Sequence, residues 1–184
     1  MKSFLREILI TVVLAVAIFL ALQAAIDSVV IPSPSMEPTL EIGQRLIVSK
    51  VSYLFHEPER GDIVTFHPPN QPKDATPLIK RIIGLPGESV EIKDGIVYIH
   101  NGDGNTLPLD EPYVAEQARS TFVGDTIPEN EYFVLGDNRN NSDDSRRGWT
   151  VPQENIIGKA WLTIWPPVQW GLFHHPAYEE DASE

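Results

Sequence analysis

The sequence predicts a mainly β fold, with one N-terminal transmembrane helix followed by an antiparallel, barrel-like β domain. Three observations support this prediction. Ile8 to Ile26 form an apolar run without a charged residue. After residue 31 there is no second long apolar segment, and short runs of β-branched and apolar residues alternate with turn residues. Prolines and glycines fall mostly between these runs, as is typical of turns and strand ends.

The apolar run is long enough to cross a membrane. At about 1.5 Å per residue it spans roughly 28 Å, against a hydrocarbon core of about 30 Å. A cleaved secretory signal is the alternative, but such signals end at a small-x-small site, and residues 21–27 offer no clean Ala-x-Ala. We therefore predict a retained anchor over residues 8–31. Lys2 and Arg6 precede it, which predicts that residues 1–7 lie in the cytosol and that everything after Ile31 lies on the far side.

Composition limits the function of the exported part. The formal net charge is −12, which argues against nucleic acid as a partner because nucleic-acid binding needs a basic surface. The chain has no cysteine, so thiol catalysis, disulfides and thiolate metal sites are excluded. Residues 32–173 are about the size of one domain. Residues 174–184 are acidic and are predicted to be a disordered tail.

Several short segments have the composition of strands, and one pair forms a recognisable hairpin. Asp94-Gly95 lies between two alternating runs and is the dipeptide of a tight two-residue hairpin turn. Residues 101–126 lack a pattern from which a structure can be predicted. The candidate strands are residues 44–51, 62–66, 78–85, 89–93, 96–99, 131–135 and 156–164.

A candidate nucleophile follows the membrane span closely. Ser35 lies in a serine- and proline-rich turn over residues 32–40, where an anchored serine hydrolase would keep its reactive hydroxyl near the bilayer. A nucleophilic serine needs a base, but the five histidines flank turns, end a hairpin or precede the tail. Lysine can serve instead if burial lowers its pKa. In Leu78 to Leu85, alternation alone does not decide whether Lys80 or Arg81 is buried, but only lysine can act as a base. By composition alone, an ordinary strand-edge charge is the competing interpretation of Lys80.

Four segments, in order, resemble the sequence boxes of type I signal peptidases. Each box alone is weak except the last, and their order along nearly the whole chain up to about Trp161 makes the resemblance specific. The boxes are Pro32-Ser33-Pro34-Ser35-Met36-Glu37-Pro38-Thr39-Leu40, Arg60-Gly61-Asp62-Ile63-Val64, Lys80-Arg81-Ile82-Ile83-Gly84-Leu85-Pro86-Gly87-Glu88 and Gly136-Asp137-Asn138-Arg139-Asn140-Asn141-Ser142-Asp143-Asp144-Ser145-Arg146.

The resemblance implies an endopeptidase that removes signal peptides through a Ser-Lys dyad, on the β fold of that family. It implies that Ser35 is the nucleophile and Lys80 the general base. The backbone N–H of Ser35 and the hydroxyl of Ser33 match the oxyanion donors. Ser142 matches the serine that orients the lysine amine. Asp144 and Arg146 match a supporting ion pair, and Asp137 a further structural carboxylate.

The resemblance also implies the partners and the location. The expected substrates are secretory precursors with small residues, usually alanine, at the first and third positions before the cut. The expected setting is the lipid bilayer of an inner membrane or a thylakoid-type membrane, and the expected state is a monomer. No metal or organic cofactor is expected.

Other functions are considered and rank lower. An anchored homologue that binds exported peptides without cutting them is the main alternative. Arg60-Gly61-Asp62 matches an adhesion tripeptide but reads better as the turn into a strand. Asp143, Gly148 and Glu154 have the spacing of a calcium loop, but Arg147 occupies a ligand position. Asp143 and Asp144 are adjacent and unsuited to an aspartic-protease pair. A Ser-Lys autoprotease of the SOS-repressor type would not need the span.

Overall fold

The computed structural model describes residues 2–72, 74–173 and Tyr178, with the side chains of residues 2 and 3 left out. Helix α1 covers Lys2–Ala25 and is followed directly by strand β1, Ile26–Val30. The other strands are β2 Arg45–Ser49, β3 Ile63–Phe66, β4 Leu78–Gly84, β5 Ser89–Lys93, β6 Ile96–His100, β7 Thr106–Pro108, β8 Phe122–Val123, β9 Glu131–Leu135, β10 Val151–Pro152, β11 Ile156–Trp165 and β12 Gly171–Leu172.

The strands form two antiparallel sheets after helix α1, so the predicted fold class is confirmed. The larger sheet has the order β1-β2-β11-β3-β4-β9-β10, with β12 paired to β11. The smaller sheet has the order β7-β6-β5-β8. In the predicted hairpin between β5 and β6, Asp94 and Gly95 both have positive φ, at 52° and 83°, as a two-residue turn requires. Two short strands, β7 and β8, lie in the segment 101–126 for which the sequence predicted no structure.

The helix ends earlier than the sequence predicted. Residues 26–30 were assigned to the anchor, but they pair with β2, from Ile26 opposite Ser49 to Val30 opposite Arg45. The backbone N–H of Lys50 donates to the carbonyl of Ala25, the last helical residue, at 2.8 Å. Phe4–Ala25 remain long and apolar enough to cross a membrane, with a mean hydropathy of 2.7 and no buried part. The turn that carries Ser35 is therefore connected to the end of this helix through the five residues of strand β1.

Two apolar clusters support the larger sheet near the turn that carries Ser35. One contains residues on both sides of that turn, so burial of its flanks fixes the turn against β2 and β4. A third cluster fills the space between the smaller sheet and β9, and Tyr178 packs into it. Apart from Tyr178, the predicted tail over residues 174–184 lies outside the described residues.

Candidate active site

A single turn of 3-10 helix, Pro34–Met36, presents Ser35. Ser33 before it is extended, with φ −142° and ψ 158°, and Pro34 opens the turn, where its fixed φ and missing N–H cost nothing. Met36 and Leu40 on the far side are fully buried in the apolar cluster. The turn is therefore held by its apolar residues, while the serine hydroxyl faces the opposite way.

Lys80 reaches this hydroxyl from β4. Its Nζ lies 2.7 Å from Ser35 Oγ and donates to the carbonyl of Ile79 at 2.8 Å. Lys80 and Arg81 are both 3 % exposed, because β4 is a central strand between β3 and β9 and is covered on both faces. Alternation left open whether Lys80 or Arg81 is buried. In the structure both are buried, and Lys80 is the one that contacts the serine hydroxyl.

Burial changes the acidity of the lysine. Removal from water lowers the pKa of Lys80 from 10.5 to about 8, opposed in part by the charges of Asp144, Asp143 and Asp137. No carboxylate lies within 4.0 Å of its amine among the described residues, so no ion pair holds the ammonium form. With a pKa near 8, roughly a tenth of the lysine is neutral at pH 7. That fraction is able to accept a proton from the serine.

The remaining residues predicted for the site lie around this pair. Ser33 Oγ is 3.3 Å from Ser35 Oγ. Asp144 and Arg146 form a buried ion pair with two short contacts of 2.8 Å, and the Asp144 carboxylate also accepts from the Gly136 backbone N–H at 3.1 Å. Asp137 accepts from the Arg81 guanidinium at 2.9 and 2.7 Å. Arg81 is therefore bound to Asp137, which leaves Lys80 as the cation beside the serine.

Ser142 departs from the expected contact. Its Oγ is buried and has no hydrogen-bond partner among the described residues, and the carbonyl of Ile79 receives the second hydrogen bond of the lysine amine. The hydroxyl is nevertheless close to the turn, because a Cβ placed on Gly136 would collide with both Ser142 Oγ and the Ser35 carbonyl. Its role in orienting Lys80 stays a prediction.

The sequence reasoning missed two residues that make positioning contacts, Asn138 and Thr39. The backbone N–H of Asn138 donates to the Ser35 carbonyl at 3.1 Å, and its side-chain amide donates to the Pro34 carbonyl at 3.1 Å. Thr39 donates to Asp137 at 2.5 Å. Both residues stand inside the sequence boxes, but a polar residue in a loop gives no sign of which distant backbone it will bind.

A cavity of about 310 Å³ opens beside Ser35 and Lys80. Ser33 and Lys80 lie on its wall, between the outer edge of β1 and the chain leading into β4. Among the described residues β1 pairs only with β2, so its other edge faces this cavity. The apolar lining includes Val30, Val48, Leu78, Ile79 and Ile157. The cavity therefore offers a free strand edge and small apolar surfaces next to the serine.

No described group of three or more His, Cys, Asp or Glu side chains is arranged to hold a metal ion. In the stretch with calcium-loop spacing, Asp143 pairs with Arg147 at 3.2 Å.

The site, a serine hydroxyl and a lysine amine on a β scaffold behind an apolar helix, has the components of a serine peptidase, and comparison with known proteins identifies the family. The family model of signal peptidases, peptidase S26, matches residues 2–165. A probable signal peptidase I-1 of Synechocystis sp. is 44 % identical over 175 residues, covering 92 % of this chain and 87 % of that protein. A signal peptidase I of Leptolyngbya laminosa is 43 % identical, covering 95 % and 86 %. The chloroplastic thylakoidal processing peptidase 1 of Arabidopsis thaliana is 38 % identical, covering 80 % of this chain and 45 % of that protein.

The chain belongs to the type I signal peptidase family and is a peptide-bond hydrolase of that family. The cyanobacterial and thylakoid relatives, together with the apolar helix, fit a membrane location.

Proposed function

We propose that the protein is a membrane-anchored endopeptidase in which Ser35 and Lys80 form the catalytic dyad that removes signal peptides from secretory precursors. The observation that carries this proposal is the 2.7 Å contact between Lys80 Nζ and Ser35 Oγ, at a lysine whose burial lowers its pKa to about 8. The relatives of the chain are named as signal peptidases, which supports the reaction.

The dyad would act in two steps. Neutral Lys80 accepts the hydroxyl proton as Ser35 Oγ attacks the scissile carbonyl, and the resulting ammonium returns the proton to the leaving amine. The acyl-enzyme is then hydrolysed by a water that the same amine activates. No second titratable base is required, because the lysine alternates between its neutral and charged forms.

The negative charge on the tetrahedral intermediate needs donors. We infer that the backbone N–H of Ser35 and the hydroxyl of Ser33 supply them. Ser33 Oγ lies on the same side as Ser35 Oγ, 3.3 Å away, which supports this role. Loss of one such donor typically costs about 3 to 4 kcal/mol of transition-state stabilisation.

The supporting residues would hold the dyad rather than react. Asp144 binds Arg146 and the backbone of Gly136, and Asp137 binds Arg81, the neighbour of the base. We propose that these two carboxylates keep the loop around Gly136 and strand β4 in register. Ser142 would complete the surroundings of the lysine amine.

The substrate would bind as an extended strand. Its backbone could pair with the free edge of β1, the mode called β-augmentation, and place small side chains in the cavity beside Ser33 and Lys80. From the resemblance of the sequence boxes we further propose small residues, usually alanine, at the first and third positions before the cut.

The location of the site supports an anchored orientation. β1 follows helix α1 without a linker, so the cavity begins where the membrane span ends. Lys2 and Arg6 before the span favour a cytosolic N-terminus and an exported catalytic domain.

The test is cleavage of a precursor with an Ala-x-Ala site by the full-length protein in detergent. We expect cutting at that site by the wild type, near-complete loss in Lys80→Ala and in Ser35→Ala, and unchanged cutting in Lys93→Ala, a matched variant of an exposed lysine on β5. Equal activity in Lys80→Ala would refute the dyad. Binding of the precursor without cutting by the wild type would favour the peptide-binding homologue.

A further inference from the structure

The loop over residues 136–142 contacts both the turn that carries Ser35 and the strand that carries Lys80. Asn138 in this loop binds the carbonyls of Pro34 and Ser35, so the loop fixes the turn of the nucleophile. Asp137 in the same loop binds Arg81, the residue after the base. Any element that positions this loop therefore positions Ser35 relative to Lys80.

One such element is the turn around Glu111, in the segment 101–126. The Glu111 carboxylate accepts two hydrogen bonds from the Arg139 guanidinium, both at 2.6 Å. Arg139 belongs to the 136–142 loop, and its Nε also donates to the carbonyl of Gly136 at 3.2 Å. The side chains of Arg139 and Glu111 are 1 % and 9 % exposed. A buried guanidinium needs a charged partner, so Glu111 is what allows Arg139 to occupy this place.

Tyr113 connects the same turn to the strand of the base. Its hydroxyl donates to Glu111 Oε1 at 2.8 Å and lies 3.0 Å from the hydroxyl of Tyr178. The Arg81 guanidinium lies over its ring, 3.9 Å from the centroid, in a cation–π contact. Arg81 is therefore held by Asp137 on one side and by the aromatic ring on the other.

We propose that Glu111 is a positioning residue, which acts through Arg139 to fix the 136–142 loop and thereby the geometry of Ser35 and Lys80. The proposal rests on the function proposed above. Within the part of the chain that the structure describes, Glu111 bonds to Arg139 and Tyr113 and not to Ser35 or Lys80, so its effect on the reaction passes through the loop. The segment 101–126, which carries no sequence box of the family, thus becomes part of the catalytic apparatus.

A structural role and a positioning role predict different results. The groups that face Lys80 are Ser35 and the carboxylates of Asp137, Asp143 and Asp144. Glu111→Gln would leave the charge of Arg139 without its counter-ion beside this group of carboxylates. The extra positive charge would disfavour the ammonium form of Lys80 and so lower its pKa further. A role confined to folding would change the melting temperature but leave kcat per folded enzyme unchanged.

The experiment compares Glu111→Gln with Asp110→Asn in full-length protein, using the Ala-x-Ala precursor. Asp110 is exposed and loses the same charge one residue away, so it is the matched control. For Glu111→Gln we expect kcat per folded enzyme to fall about 10- to 100-fold, as for small displacements of reacting groups, with KM unchanged. We expect the acid limb of its pH profile to move to lower pH. Asp110→Asn should match the wild type in both respects.

A second comparison separates the effect of the Arg139 charge from the effect of the loop position. It uses the double variant Glu111→Gln/Arg139→Gln and the single variant Arg139→Gln, neither of which leaves the Arg139 charge buried and unpaired. Glu111→Gln combined with Arg139→Gln removes both partners, so the acid limb should return to its wild-type pH. If position matters, kcat should stay at the level of Arg139→Gln alone. Recovery of kcat to the wild-type value in the double variant would overturn the proposal, as would an unchanged kcat and pH profile in Glu111→Gln.

The role of Glu111 can still be tested if the protein does not cut the precursor. The pKa of Lys80 can be followed by NMR of 13C-labelled lysine side chains in the full chain in detergent. We expect it to be lower in Glu111→Gln and restored in the double variant. A wild type that does not cut the precursor would count against the proposed function alone. A Lys80 pKa that is the same in wild type and Glu111→Gln would count against the positioning role.

Discussion

Two neighbouring cations on β4 are buried to the same extent and have opposite surroundings. Arg81 has a carboxylate, a backbone carbonyl and an aromatic ring around its guanidinium. Among the residues that the structure describes, the amine of Lys80 has a serine hydroxyl and a backbone carbonyl as its hydrogen-bond partners. The electrostatic cost of burial is thus offset at Arg81 by an ion pair, whereas at Lys80 it appears as a lowered pKa. This difference is what makes one of them suited to accept a proton.

The sequence predicted the residues of the site but not every contact between them. Chemistry selected Lys80 over Arg81, since guanidinium stays protonated. The box that contains Ser142 predicted that this serine lies nearby, yet its hydroxyl makes no hydrogen bond among the described residues, and Ile79 supplies the acceptor. A motif predicts which residues assemble, whereas side-chain rotamers depend on packing that no local pattern encodes.

The lowered pKa of Lys80 predicts the pH dependence of cleavage. Only the neutral amine can accept the serine proton, so kcat/KM should rise with pH and level off above about 8, the pKa of the lysine. One pH unit below this value about a tenth of the plateau should remain. Initial rates of precursor cleavage in detergent measure the profile. Lys80→Arg, which cannot deprotonate, should be inactive at every pH, and a flat wild-type profile would contradict the assignment of the base.

At the scale of elements, apolar runs identified strands β2 to β6, β9 and β11, but not the short strands and not the end of the helix. The predicted anchor runs to residue 31, whereas α1 ends at Ala25 and Ile26 begins a strand. Residues 26–31 are rich in β-branched side chains, which fit either a membrane helix or a strand. Pairing with β2, a long-range contact, decides between them.

The hairpin between β5 and β6 shows where a local signal is sufficient, and it predicts a stability change. Gly95 has φ of 83°, and a Cβ there would press on the side chain of Gln117. We expect Gly95→Ala to lower the free energy of unfolding by about 1 to 2 kcal/mol, because L-residues are strained in this conformation. Thermal unfolding of the full-length protein measures the loss. Gly102→Ala, in open space and without positive φ, is the control, and equal melting temperatures for the two variants would contradict the prediction.

At the scale of the whole molecule, the site depends on contacts between distant parts of the chain. Lys80 and Ser35 are 45 positions apart, and Asn138 and Pro34 are 104 apart. The strand order β2-β11-β3 inserts a late strand between two early ones. Local alternation and turn residues carry no information on such pairings. The sequence therefore predicted which segments are strands and which are turns, but not the order of the strands in the sheet. The resemblance to the family boxes indicated which distant segments come together at the site, because the boxes carry the residues of that site.

The arrangement of helix and domain also predicts a membrane topology. Lys2 and Arg6 precede the span and Asp27 follows it, so the positive-inside rule places residue 3 in the cytosol and residue 123 on the exported side. The chain lacks cysteine, which allows single cysteines to be introduced without background. We expect a membrane-impermeant maleimide to label Val123→Cys, at a position 79 % exposed, in right-side-out vesicles. It should label Ser3→Cys in inverted vesicles only. The reverse pattern would place Ser35 in the cytosol, where exported precursors could not reach it after translocation, and would overturn the proposed orientation.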